Sequence, residues 1–135
     1  MRSKGPITLA MTAILLFGGV ACGDDKESTE AAEETGHAIV PDAVVTQGLA
    51  ATQQLLADIE SGKTTDKDKA LDAVEVSWAS YEGTIKQNEV EMYLAFEDAL
   101  AAMQKAVKAG NKADITTAKT KFATTAQTYL AKHPG

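Results

Sequence analysis

The strongest constraint on the fold is a set of four stripes of mainly apolar residues between Pro41 and the carboxyl end. Within each stripe the residues recur every three or four positions, as on one face of an α-helix, and not in the alternation typical of a β-strand. The four stripes are Val45, Leu49, Thr52, Leu56 and Ile59; Leu71, Val74, Trp78, Tyr81 and Ile85; Tyr93, Phe96, Leu100, Met103 and Val107; and Ile115, Ala118, Phe122, Thr125 and Tyr129. The pattern predicts an all-α domain of four helices.

Residues that start and stop helices lie between these stripes. Asp42 is a candidate cap for the first helix, and Gly62 follows its end. Three pairs with the spacing of a capping box mark the other starts: Thr65 with Asp68, Asn88 with Glu91, and Asn111 with Asp114. Helices of about 20 residues joined by short loops favour an up-down-up-down four-helix bundle over residues 41–135. Gly83, inside the second helix, is expected to cost about 1 kcal/mol relative to alanine.

The leader, residues 1–21, has the composition of a secretory signal peptide. Two cations precede an apolar stretch over residues 7–21, which is shorter than the roughly 20 residues of a membrane-spanning helix. Small residues end this stretch directly before Cys22, the only cysteine of the chain. The sequence Val20-Ala21-Cys22 resembles the lipobox of bacterial lipoproteins, which implies cleavage before Cys22, an extracytoplasmic location and a lipid anchor in the cell membrane. The alternative is an uncleaved signal anchor with an unmodified thiol.

Residues 22–40 are expected to form the lipidated cysteine and an acidic, flexible tether. Six carboxylates and one lysine lie between Gly23 and Gly36, and no apolar side chain there is larger than alanine. Such a segment buries too little surface to offset the entropy lost on ordering. No arginine follows residue 21, so the mature chain lacks the side chain that makes bidentate contacts with phosphates and bases. Nucleic acid is therefore not an expected partner.

Two aromatic–glutamate pairs at helical spacing form the candidate functional site. Trp78 and Glu82 are four residues apart, and so are Tyr93 and Glu97, on the two arms of a predicted helical hairpin. Antiparallel packing would bring the four side chains into one patch, and bundle proteins bind hard cations through paired carboxylates on facing helices. The alternatives are structural. Glu82 would pair with Lys86 at the surface, and Glu97 would accept a hydrogen bond from a tyrosine or from the indole.

Histidines and nucleophiles are scarce in the predicted helices. His37 and His133 are the only histidines, and an up-down bundle would bring them to the same end, where two imidazoles could ligate a metal or haem. No thiol would survive acylation of Cys22, and the sequence contains no phosphate-binding glycine loop or metalloprotease motif. We therefore expect a protein that is not an enzyme.

The segments 78–86 and 93–100 together carry the pattern Trp-x-x-x-Glu-Gly … Tyr-Leu-x-x-Glu-Asp-x-Leu. This pattern is similar to that of small helical extracytoplasmic domains and lipoproteins that accompany bacterial high-affinity iron permeases. The resemblance implies a role beside a membrane permease as partner, in passing or sensing iron or another divalent cation. The site residues that it implies are Trp78, Glu82, Tyr93, Glu97 and Asp98. The His-x-x-Glu motif of related imelysin-type iron lipoproteins is absent, so the resemblance favours an accessory role over direct iron binding.

Two hypotheses for the function result. In the first, the protein is a membrane-anchored, non-catalytic binding module that assists the uptake of iron or another cation. In the second, it is a structural or protein-interaction lipoprotein of the cell envelope with no metal role. The second hypothesis predicts an exposed apolar patch, and Val76 and Met92, which lie off their stripes, would belong to it.

Overall fold

The computed structural model describes residues 37–135, and this part of the chain is all-helical. Its helices are α1 (Asp42–Ser61), α2 (Lys67–Ala79), α3 (Glu82–Asn88), α4 (Val90–Ala109) and α5 (Lys112–Lys132). The prediction of an all-α domain is thereby confirmed for these residues. Across residues 37–135, every helix is too short or too polar to cross a membrane. The predictions for the signal peptide, for Cys22 and for most of the tether lie outside the described residues.

The core of the domain is built from the four predicted stripes. Every member of the first two stripes is buried, and so are most members of the other two. Tyr93 and Thr125 are only partly buried, and alanines such as Ala99 and Ala126 fill the core beside them. Helix α1 packs against α2 and α5, and α4 packs against α3 and α5. Helical spacing therefore predicted correctly which face of each helix is buried.

The predicted second helix is two helices. Helix α2 ends at Ala79, and α3 begins at Glu82 after a turn in which Tyr81 has φ −140° and ψ −8°. Ser80 reinforces the turn, because its hydroxyl donates a 2.7 Å hydrogen bond to the carbonyl of Ser77. The prediction of one continuous helix was wrong here. Tyr81 remains in the core although the backbone breaks beside it, so the apolar spacing runs through the turn without a visible interruption.

Two of the predicted helix starts differ from the structure by a residue. Asp66, not Thr65, caps α2, and its Oδ1 accepts a 3.0 Å hydrogen bond from the amide of Lys69. Asp66 has the extended backbone that is typical of a cap, which explains why this carboxylate takes the role. At α1, Pro41 occupies the cap position and Asp42 is the first helical residue, so the predicted Asp42 cap was wrong.

The remaining two predicted starts have opposite outcomes. Asn111 caps α5 as predicted, and its Oδ1 accepts a 3.3 Å hydrogen bond from the amide of Asp114. Asn88, in contrast, is the last residue of α3 and does not cap α4. Its side-chain amide instead donates a 2.9 Å hydrogen bond to the hydroxyl of Tyr129 on α5. A contact with a distant helix therefore replaces the local cap.

Candidate functional site

Three of the predicted site residues meet between α2 and α4. The indole Nε1 of Trp78 donates a 2.6 Å hydrogen bond to Oε1 of Glu97. The Tyr93 ring stacks on the indole, with 6.1 Å between centroids and 19° between planes. The antiparallel hairpin thus brings these three side chains together. The structural alternative for Glu97, a hydrogen bond from the indole, is confirmed.

Trp78 is also the centre of an aromatic cluster in the core. Its side chain is 5% exposed, and its ring lies 5.4 Å from that of Tyr81, 5.1 Å from that of Phe96 and 6.2 Å from that of Phe122. Aromatic pairs at such distances stabilise a core beyond the area that they bury. The indole thus buries its apolar ring among three helices and presents its one polar atom to Glu97.

Glu82 belongs to a different group of contacts. Its Oε1 lies 2.7 Å from Nδ1 of His37, and its side chain is only 8% exposed. The structural alternative that placed Glu82 at the surface beside Lys86 was therefore wrong. The turn before α3 makes Glu82 the first residue of a new helix, so it no longer shares a face with Trp78 as one continuous helix would require.

The segment of residues 37–40 lies directly on the first turn of α3. The amide of Val40 donates a 2.7 Å hydrogen bond to Oγ1 of Thr84, and the same hydroxyl donates to the Val40 carbonyl at 2.9 Å. A Cβ on Gly83 would lie 2.7 Å from the carbonyl oxygen of His37 and 2.8 Å from that of Ala38. Gly83 is therefore more than a helix-weakening residue, because its lack of a side chain allows this close approach.

The remaining predicted ligands do not join either group. Asp98 is exposed on α4. His133 contacts Glu89, with 3.3 Å between Nε2 and Oε1, and its ring stacks on Tyr129 at 4.6 Å. Each histidine therefore contacts a different glutamate, and the paired-imidazole hypothesis does not describe their contacts. Within residues 37–135, no three or more histidine, cysteine, aspartate or glutamate side chains are grouped so that they could hold a metal ion.

A buried network of hydroxyl groups, which sequence reasoning missed, joins α1 to α2 and the following turn. Thr52 Oγ1 donates to the carbonyl of Gly48 at 3.0 Å and lies 2.8 Å from Ser77 Oγ and 2.7 Å from the Tyr81 hydroxyl. A hydroxyl has one proton, so Ser77 and Tyr81 both donate to Thr52 in this arrangement. Burial raises the pKa of the Tyr81 hydroxyl well above its usual range. A threonine within an apolar stripe was the sequence signal for this network.

An open groove lies between the carboxyl-terminal half of α4 and the amino-terminal half of α5 and has a volume of about 210 Å³. Its lining consists of Ala102, Lys105, Ala106 and Ala109 on α4 and of Asp114, Thr117, Ala118 and Lys121 on α5. Ala106 and Ala118 are buried and form the floor. This groove was not predicted from the sequence, because alanines fit a helix core and a helix surface equally well. The available signal was the matched spacing of small residues on the two helices.

No family model matches the chain, and comparisons with curated proteins and with solved structures give no significant match. The resemblance to helical accessory domains of iron permeases thus stays a prediction. Within the described residues, each candidate glutamate already contacts another side chain of the domain: Glu97 accepts a hydrogen bond from Trp78, and Glu82 contacts His37.

Proposed function

We propose that this protein is a lipid-anchored extracytoplasmic lipoprotein whose helical domain is a non-catalytic module that docks on another protein of the cell envelope. The supporting observation is the contrast between the predicted ligand site and the α4–α5 groove. Glu97 and Glu82 already have partners at 2.6 and 2.7 Å, and they would have to give up these contacts to bind an ion. The groove is open and needs no such rearrangement.

In this proposal the helices form an up-down-up-down bundle in which α2 and α3 together make one arm. The support is the set of packed pairs: α1 with α2 and α5, and α4 with α3 and α5. Four antiparallel rods around one core have this cyclic order of neighbours. The leader is removed as a signal peptide, Cys22 carries the lipid, and the acidic tether joins the domain where residues 37–40 contact α3.

Photo-cross-linking in intact cells tests the docking function. A photoreactive amino acid replaces Ala109, which is exposed on the rim of the groove, and should give one discrete protein adduct. The matched control replaces Ala51, an exposed alanine of α1, and should give none. Absence of an adduct at Ala109, or the same adducts from both positions, would refute the docking function.

The anchor is tested separately from docking. Mass spectrometry of the amino terminus should find the chain beginning at an acylated Cys22, and Cys22→Ala should release the protein from membranes. An intact leader, or membrane retention of Cys22→Ala, would contradict the lipoprotein assignment while leaving the docking experiment interpretable.

A second candidate function is the accessory role in the uptake of iron or another cation, with a membrane permease as partner. The observation that favours it is the His37–Glu82 pair, which brings one nitrogen and one carboxylate oxygen to 2.7 Å of each other. A permease could supply further ligands. Trp78 is the only tryptophan, so its fluorescence reports on the predicted site during titration with ferrous, ferric or cupric ions. A saturable change that is lost in Glu82→Gln/Glu97→Gln supports this role, and no response at near-millimolar metal removes it.

A further inference from the structure

We propose that the folded domain contacts the membrane surface through exposed aliphatic side chains at the end where the tether attaches. This tether end consists of residues 37–44, the first turns of α4 and the last turn of α5. The inference rests on the lipid anchor proposed above and adds a second membrane contact, made by the domain itself. It is based on the position of the exposed aliphatic side chains, the length of the chain that leads to Cys22 and the charges at the tether end.

Five large hydrophobic side chains are exposed within residues 37–135, and four of them lie at the tether end. The four are Ile39, Val44, Val90 and Leu94, and the fifth is Val76 on α2. Val90 is the first residue of α4, and Leu94 follows one turn later on the same face. A single exposed aliphatic side chain is common on protein surfaces. Four at one end of a small domain indicate a surface that contacts an apolar partner.

Contacts of the residues after α5 show that the starts of α1 and α4 lie at the same end of the domain. His133 contacts Glu89, directly before α4, with 3.3 Å between Nε2 and Oε1. A Cβ on Gly135 would lie 3.2 Å from the Cα of Ala43 in the first turn of α1. Ile39 belongs to the segment that leads into α1. The exposed side chains of this segment, of α1 and of α4 therefore share one end.

The same end is the one from which the chain leads to Cys22. Fourteen residues, 23–36, separate Cys22 from His37, and a fully extended chain of this length spans at most about 50 Å. The 20 residues of α1 add about 30 Å to the distance of the opposite end. In a lipid-anchored chain the membrane is therefore always within reach of the tether end. Aliphatic side chains gain free energy when they enter the boundary between headgroups and acyl chains.

The charges at the tether end determine the kind of membrane contact. Glu82 and Glu89 already contact histidine and lysine side chains of the domain. Asp42 and Glu91 are exposed, and six carboxylates accompany one lysine in the segment 23–36. Anionic lipid would repel these carboxylates, so the contact depends on apolar side chains and not on charge attraction. It should be stronger on uncharged than on anionic membranes, and salt should reduce the difference.

The experiment uses the lipidated full-length chain, reconstituted in phosphatidylcholine vesicles that contain no other protein. Single cysteines introduced at positions 39, 44, 90 and 94 carry a nitroxide, and the acylated Cys22 does not react with the label. The control is Val76→Cys with the same label, because Val76 is 73% exposed and lies away from the tether end. Collisions with an uncharged nickel chelate dissolved in water should be about threefold rarer at the tether end than at position 76.

Polar substitutions test whether the aliphatic side chains cause the protection. Val90→Gln/Leu94→Gln should make the nitroxide at position 39 about twofold more accessible, whereas Val76→Gln should leave it unchanged. Vesicles with phosphatidylglycerol at low salt should give less protection than phosphatidylcholine alone. Equal accessibility at positions 76 and 90, or greater protection on the anionic vesicles, would overturn the inference. Protection that disappears when the protein is diluted in lipid would show contact between copies of the chain and would overturn it too.

Mass spectrometry of the same preparation shows which proposal has failed. If Cys22 is not acylated, the lipoprotein assignment is wrong, and the membrane contact proposed for the domain is wrong with it. If Cys22 is acylated and the tether end is as accessible as position 76, the anchor stands and only the membrane contact is wrong. Ala109 is the last residue of α4, at the opposite end of that helix from Val90, so the cross-linking test of docking is independent of both results.

Discussion

The indole nitrogen of Trp78 donates a 2.6 Å hydrogen bond to the carboxylate of Glu97, which links α2 to α4 at the edge of the aromatic core. A hydrogen bond to an ionised group is stronger than one between neutral groups. The same bond satisfies the only polar atom of a side chain that is otherwise packed against aromatic rings. Glu97 is therefore a stabilising residue of the domain, whatever further role it has in ligand binding.

The first prediction is that Glu97→Ala destabilises the domain by about 1–3 kcal/mol, because it leaves the buried indole without an acceptor. Urea denaturation followed by the fluorescence of Trp78 measures the change. Asp98→Ala is the matched control, since Asp98 is the next residue and is exposed, and its effect should stay within about 0.5 kcal/mol. Equal effects of the two variants would contradict a structural role for the Trp78–Glu97 hydrogen bond.

The second prediction concerns the buried hydroxyl of Thr52. Thr52→Val keeps the shape of the side chain but leaves the hydroxyls of Ser77 and Tyr81 without their shared acceptor, and it should cost about 1–3 kcal/mol. Adding Tyr81→Phe removes one orphaned hydroxyl, so the double variant should lose less stability than the sum of the two single changes. The control is Thr128→Val, whose hydroxyl lies on the exposed face of α5. Strict additivity in the cycle would refute coupling between Thr52 and Tyr81.

The apolar spacing predicted the buried faces because burial of one helix face is a local, periodic property of the sequence. It did not predict the break at Ser80 and Tyr81, because the aromatic and aliphatic side chains keep their spacing through the turn. Two long-range contacts accompany the break: the Tyr81 hydroxyl meets Thr52, and residues 37–40 lie against Gly83. Contacts between residues so far apart in the chain leave no periodic signal.

The candidate site shows the same division between local and long-range causes. The predicted contact between Trp78 and Glu97 is correct, because both residues lie on regular helices whose side chains meet there. The predicted position of Glu82 was wrong, because that residue follows the unpredicted turn and contacts His37. The groove between α4 and α5 was not predicted for a different reason: the sequence does not show which alanines face solvent.

The third prediction is that Gly83→Ala destabilises the domain, although alanine has the better helix propensity by about 1 kcal/mol. The new methyl group would lie 2.7 Å from the carbonyl oxygen of His37, so residues 37–40 must move away from α3. We expect a net loss of about 1–3 kcal/mol, as for other overpacked sites. Hydrogen exchange of the Val40 amide should accelerate, whereas amides in the middle of α5 serve as the internal control and should not change. A variant more stable than the original chain would show that the segment is not held by this contact.

The fourth prediction is a dependence of stability on pH through Glu89. Two hydrogen bonds hold the pKa of the Glu89 carboxyl below its ordinary value. The bond with His133 has the larger effect, and the bond from Lys132 has the next largest. A carboxylate whose pKa is lowered by folding stabilises the folded state above its unfolded pKa of about 4.3, and this contribution is lost as the pH falls through the lower folded value. Glu89→Gln should therefore lower the melting temperature slightly near pH 6, and the difference should shrink below about pH 4.

Thermal melting between about pH 3 and 7 measures this difference, with Asp72→Asn as the control because Asp72 is exposed in the middle of α2, away from the helix ends. The control should melt close to the original chain across the range. A difference for Glu89→Gln that stays constant down to the lowest pH would mean that its effect comes from packing and not from the ionised carboxylate. A difference that grows toward low pH would have the wrong sign for a lowered pKa and would contradict the assignment of His133 and Lys132 as its cause.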